Sequence, residues 1–178
     1  MSENLTRCYS FPPIAATSAK ILILGSMPGA ESLRQQQYYA HPRNAFWPIM
    51  QGLFAIEMTL PYQQRCEQLT QQRIAVWDVL KACARPGSLD SNIALDSIEA
   101  NDFNAFFRQH PNIHSVFFNG GKAEQIYMKS VLPTLDKIWQ KIPTERLPST
   151  SPAHAALSLE EKQTIWIEQL SSVKKTKQ

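Results

Sequence analysis

The pattern of apolar positions along the chain alternates between short unbroken runs and helical spacing. Lys20-Ile-Leu-Ile-Leu-Gly25 is a continuous aliphatic run stopped by glycine, the pattern of a central strand buried on both faces. Ile74-Ala-Val-Trp-Asp78 and Ser115-Val-Phe-Phe-Asn119 repeat it, the second running into Gly120-Gly121, and Glu145-Arg-Leu-Pro148 is a weaker fourth. Between these runs the spacing predicts helices. Asn44–Phe54 places Phe46, Ile49, Met50, Leu53 and Phe54 on one face, Pro61–Gln72 carries an apolar stripe on a polar helix, Asp102–Arg108 follows an Asn101 cap, and Gly121–Leu132 opens at the double glycine. Ser158 with Glu161 forms a capping box ahead of Ile165, Trp166 and Leu170.

Strand–helix alternation of this kind predicts an α/β fold: a three-layer α/β/α domain around a four-stranded, mainly parallel sheet. The 178 residues suit one domain, with the basic end 174–178 expected to be frayed and solvated. A composition of 43% hydrophobic and 19% charged residues belongs to a globular chain. No apolar run approaches the length of a membrane span, and Met1–Phe11 lacks the apolar core of an export signal, which points to the cytoplasm. Cys8, Cys66 and Cys83 form no CxxC pair, which argues against a zinc ribbon or a four-cysteine cluster and for reduced thiols. A net charge of +3 permits a nucleic-acid partner without requiring one.

In open α/β sheets ligands sit beyond the carboxyl ends of the strands. Those ends are Gly25-Ser-Met-Pro-Gly29, Asp78, Asn119-Gly-Gly121 and Ser149-Thr-Ser-Pro-Ala-His154. The first lacks both the Lys-Ser/Thr of a P-loop and the three-glycine spacing of a dinucleotide fingerprint, so a nucleotide cofactor is disfavoured. Gln37-Tyr-Tyr-Ala-His-Pro-Arg-Asn44 gathers two aromatics, a histidine, an arginine and an asparagine in one loop. Taken singly, these residues have plain structural readings: Asn44 as a helix cap, Asn119 as a turn residue, His154 as an incidental loop histidine. Asp78 is open to two readings, a loop anchor accepting backbone N–H bonds or a catalytic carboxyl, with the anchor the plainer of the two. Trp47, Trp139 and Trp166 read as packing residues.

Taken together, the blocks carry a resemblance. Gly25–Gly29 followed by Tyr38-Tyr-Ala-His-Pro-Arg-Asn-Ala-Phe-Trp47 resembles the first motif region of the mismatch-specific uracil and thymine DNA glycosylases. Ser-Met-Pro in the turn is more similar to the hypoxanthine-DNA glycosylase branch of the uracil-DNA glycosylase superfamily. Trp77-Asp-Val79, Arg85–Asp90, Phe117–Gly120 and Leu147–His154 resemble the same branch, so that the likeness runs from residue 20 to residue 155.

The resemblance implies a monofunctional glycosylase that flips out a deaminated base, hypoxanthine in deoxyinosine foremost, and hydrolyses its N-glycosidic bond. Its partner would be double-stranded DNA, with no metal or organic cofactor, and the chain would act as a monomer. Met27 stands where other branches carry a water-activating asparagine or acid, and methionine has no group to position water. The resemblance therefore implies that Asn44 positions the water. A flipped base needs a π-face to stack on and polar groups along its edge. The same likeness gives Ser26, Met27, Tyr39 and Asn119 to the base, with Tyr39 as platform and Asn119 as edge reader. Ser149, Ser151, Pro152 and His154 would contact DNA, with His154 also assisting the leaving base. Three alternatives stay open at this stage: a G:U or G:T mismatch glycosylase, a non-catalytic lesion binder of the same fold, and an unrelated small-molecule hydrolase using the same strand ends.

Overall fold

The structure is a computed structural model that describes residues 7–175. All four expected strands form: β2 (Ile21–Gly25), β3 (Ile74–Asp78), β6 (Ser115–Asn119) and β7 (Thr144–Leu147). They make one parallel sheet in the order β3-β2-β6-β7. Helices flank this sheet, giving the three-layer α/β/α architecture expected from the alternation. β2 and β3 are buried along their whole length, whereas β7 exposes Glu145 and Arg146 as an edge strand does.

Register explains how the layers meet. Leu24 is paired laterally with Trp77 on one side and Phe118 on the other, and partners across a parallel pair share a sheet face. On that face Trp77 packs on Phe103 and Phe106 of α4 (Phe103–Gln109), and Phe118 on Tyr127, which follows α5 (Gly121–Ile126). A second aromatic group joins α2 (Phe46–Phe54) to α6 (Leu159–Lys175) through the edge-on pair Phe46–Trp166. The remaining helices are α1 (Ala30–Gln35) and α3 (Tyr62–Gln71). Trp47 and Trp166 are buried, and Trp139 stacks on Phe107.

Four details depart from the sequence reading. A second, antiparallel sheet of β1 (Arg7–Tyr9), β4 (Leu80–Ala84) and β5 (Glu99–Ala100) was not anticipated. The cap of α4 is Asp102, whose carboxylate accepts from Ala105 N, while Asn101 donates to the Asp78 carbonyl. The α5 segment leaves α-geometry at Tyr127 and continues as a π-turn to Val131. At the basic C-terminal end, α6 runs through Lys175, and 176–178 lie outside the described residues. The capping box at the start of α6 forms in both directions: Glu161 N donates to Ser158 Oγ and Ser158 N to Glu161 Oε2.

The strand order sets the place of chemistry. β2 connects outward to β3 on one side, while β6 connects to β7 on the other. The crevice between the carboxyl ends of β2 and β6 is therefore the switch point where an α/β sheet opens to a ligand.

Candidate active site

A cavity of about 830 Å³ lies at that switch point. Its lining includes every residue singled out from the sequence: Ser26, Met27, Tyr39, Asn44, Asn119, Ser149, Ser151, Pro152 and His154. It also includes His41, Arg43, Asp78, Leu89 and Asp90.

The turn after β2 is fixed by its neighbours. Val79 N donates to Gly25 O and Leu80 N to Ser26 O, so the start of β4 carries the turn. Gly25 is needed for a steric reason: a Cβ there would lie 2.6 Å from Asp78 Oδ1. Met27 is buried and supplies an apolar wall. The Ser26 hydroxyl donates to Asp90 Oδ2 at 2.6 Å, which holds the 85–92 loop against the turn. Arg85, fully buried, donates to the Pro28 carbonyl and lies 3.7 Å from Asp90 Oδ1.

Asp78 differs from its anchor reading. The carboxyl is buried and its Oδ2 has no hydrogen-bond partner; the loop contact runs instead through its main-chain carbonyl to Asn101. Burial pushes its pKa up to about 8, the Asp90 charge adds to the rise, and Arg85 opposes it. Asp90 is raised too, chiefly by burial, against its hydrogen bond from Ser26 and the pull of Arg85.

In the loop before α2, Tyr39 adopts a left-handed backbone at φ 56° and stacks on Phe46 at 4.1 Å, with 21° between the rings. One ring face is thus occupied, and a base would use the other. The Tyr39 hydroxyl is buried beside Asn119 without a well-formed hydrogen bond, and burial raises its pKa. Asn44 Oδ1 accepts from Phe46 N at 2.9 Å. The cap reading of Asn44 is displaced by one residue: Ala45 is the N-cap of α2, and Asn44 instead closes an Asx turn onto Phe46 N, which leaves its amide NH2 and second oxygen lone pair for other partners.

Asn119 is engaged more fully. Its Nδ2 donates to Thr150 Oγ1 and its Oδ1 accepts from Thr150 N, both at 2.8 Å. Its first duty is to clamp the 149–154 loop, and a base edge would meet only the second N–H and the second lone pair. Gly120, at φ 96°, makes room for that loop, since a Cβ would stand 3.0 Å from Ser149 Cβ. Thr150 O in turn accepts from Ala45 N, joining the loop to the Asn44 segment.

Lys162 and Trp166 went unnoticed as site-building residues. One turn apart on α6, they face the same loop. The Lys162 ammonium, buried and with its pKa pulled down by burial, donates to Ser151 O at 3.2 Å and His154 O at 2.7 Å. Trp166 Nε1 donates to Pro148 O. Nothing in the helical pattern distinguishes this lysine from a solvated one; only the tertiary contact does.

A three-layer α/β domain opening at its switch point, walled by an asparagine-bearing aromatic loop and a Ser/Pro/His loop, has the architecture of a DNA base-excision glycosylase. The chain belongs to the uracil DNA glycosylase superfamily, whose family model matches residues 12–170. Hypoxanthine DNA glycosylases of Methanosarcina barkeri and Methanosarcina acetivorans are each 40% identical to it over 114 residues, 64% of this chain and 71% of theirs. A solution NMR structure from Methanosarcina acetivorans, described as a candidate uracil DNA glycosylase, superposes with a TM-score of 0.73 at 32% identity, covering 92% of this chain and 98% of that one.

Proposed function

We propose that this glycosylase removes hypoxanthine from deoxyinosine in double-stranded DNA, acting as a monomer in the cytoplasm and leaving an abasic site. The supporting observation is the cavity itself: one chain brings Asn44, Met27, Tyr39, Asn119 and His154 to the lining of a single cavity of about 830 Å³. The monomer reading rests on that completeness. The cytoplasmic reading is consistent with the absence, among the described residues, of any helix long and apolar enough to cross a membrane. The choice of base follows the two Methanosarcina relatives.

Asn44, its Oδ1 oriented by Phe46 N, holds the attacking water at C1′. Tyr39 stacks on the base through the face that Phe46 leaves open. Met27 and Ser26 line the base pocket, and Asn119 offers its remaining N–H and lone pair to the base edge. Ser149, Ser151 and Pro152 meet the DNA backbone, which positions the enzyme without reading sequence. His154 donates to the departing base. Loss of the base builds oxocarbenium character on the sugar, so the protein's work is to place water and stabilise the leaving anion.

The test is cleavage of duplexes carrying inosine, uracil, xanthine or ethenoadenine, with alkali to reveal abasic sites. Inosine should be cut fastest. Preferential cutting of uracil opposite guanine would move the chain to a mismatch specificity, and binding to lesions without any cleavage would remove the catalytic reading.

A further inference from the structure

The buried polar groups around the cavity are not treated alike. Asn119 and Thr150 satisfy one another, and Lys162 meets two carbonyls. Asp78 is buried at the end of β3, lines the same cavity, and has an oxygen with no partner at all. A carboxyl serving only to hold the fold is normally ringed by N–H donors, because an unpaired buried polar group is costly. Here the nearby cation, Arg85, is turned to Asp90 and to the Pro28 carbonyl. The missing side chain at Gly25 lets the carboxyl seat against the turn that opens the cavity. Such a group awaits a ligand.

We propose that Asp78 is a further catalytic residue: its carboxyl O–H donates to the lactam oxygen of the extruded base and stabilises the anion that leaves. The inference rests on the glycosylase reading above. Deamination replaces an amino group by a carbonyl oxygen beside a ring N–H, an edge that a neutral carboxyl meets with one donor and one acceptor. A carboxylate would repel that oxygen. When the C1′–N bond breaks, its electron pair departs with the base and the charge spreads to the lactam oxygen, so the hydrogen bond strengthens in the transition state. Water adds its hydroxyl to C1′, its remaining proton balances the departing base, and Asp78 ends the cycle with its own proton.

The titratable groups around Asp78 are Asp90 and Arg85 from the 85–92 loop and Tyr38 and Tyr39 from the loop before α2. Burial and the Asp90 charge hold the carboxyl un-ionised up to about pH 8, much as a buried aspartic acid in another enzyme is kept neutral to donate into an oxyanion.

The test uses single-turnover cleavage of an inosine duplex by the full chain across pH 6–10. Asp78→Ala should cut about 100- to 1000-fold more slowly, the loss expected for one preorganised donor. Wild type should lose rate as pH rises through about 8. Asp78→Asn, which keeps an N–H donor, should retain more activity than Asp78→Ala and should lack that alkaline fall. Infrared difference spectra give a readout apart from activity: a protonated-carboxyl band present at pH 7 in wild type and missing in Asp78→Asn. An Asp78→Ala enzyme within threefold of wild type, or an alkaline limb that survives in Asp78→Asn, would overturn the role of Asp78 and leave the glycosylase reading standing. A wild type that cuts uracil but not inosine would overturn the choice of base alone, since Asp78 can be measured on the shared lactam edge. A wild type inactive on every deaminated base would overturn both.

Discussion

The two sides of the cavity resolve the burial of polar groups in opposite ways. On the β6–β7 side hydrogen bonding is closed: Asn119 and Thr150 bond one another both ways, Lys162 donates to the Ser151 and His154 carbonyls, and Trp166 to that of Pro148. On the β2–β3 side it is left open: Asp78 Oδ2 and the Tyr39 hydroxyl, on two residues that line the cavity, are buried without a hydrogen-bond partner. Each such group costs about 1–3 kcal/mol relative to a satisfied one. The first side therefore fixes a loop in place, and the second carries a cost that a bound ligand would relieve. Where bonding closes on itself the residue holds shape; where it stays open the residue waits for chemistry.

The largest expected effect is at Asn44, which lies between the two sides and is tied to the satisfied one through Ala45 N and Thr150 O. Asn44→Ala should raise the barrier to single-turnover cleavage by about 2.7–4 kcal/mol with little change in DNA affinity. Cleavage at the wild-type rate would leave Asn44 as a turn residue only. Next comes the brace of the closed side. Lys162→Met removes a charged donor from two carbonyls and should lower stability by about 1.5–3 kcal/mol, read as a shift in urea midpoint at unchanged slope, and should weaken binding to lesion and undamaged duplex alike. An unshifted midpoint would show the loop standing without it.

On the open side the sign is reversed. Burial pushes the Asp78 pKa up to about 8 from the ordinary 3.8, so between these values the native state holds a proton that the unfolded chain has lost. Its contribution is intact at low pH and is lost as pH rises, by up to about 1.4 kcal/mol for each pH unit in that window. Asp78→Asn should therefore gain stability over wild type from pH 5 to pH 8, a comparison made by thermal melts at several pH values. Parallel melting curves would mean that the carboxyl ionises freely in the native state. The smallest effect is at Tyr39. Because its hydroxyl has no well-formed partner, Tyr39→Phe should change cleavage by less than about 0.5 kcal/mol, while a large loss would reveal a hydrogen bond to substrate in place of stacking.

The parallel sheet was legible because Ile21–Leu24, Ile74–Trp77 and Val116–Phe118 are runs that only a doubly covered strand can bury. The strand ends were legible for the same reason, and the cavity forms where they converge. The antiparallel sheet was not. Leu80-Lys-Ala-Cys-Ala84 carries small residues without β-branching, and its partners are three and two residues long, too short for alternation to register. Asn101 and Asp102 are both good caps, and the choice fell to Asp102 because Asn101 was drawn to the Asp78 carbonyl. Asp78 itself was visible, but the lack of a partner is a property of its surroundings that no spacing encodes. Lys162 is the converse case, an ordinary helical lysine made structural by loop carbonyls 8 and 11 residues upstream.

The brace on α6 also has a consequence for the order of assembly. The wall formed by residues 148–154 is secured by side chains that follow it in the chain, Lys162 and Trp166. A nascent chain that has emerged only as far as residue 158 would contain all four strands of the parallel sheet and the clamp at Asn119, yet three carbonyls of the wall, those of Pro148, Ser151 and His154, would lack their donors from α6. Docking of α6 is thus the event that matures the mouth of the cavity. A chain caught before it would have a nearly finished scaffold around an unfinished opening.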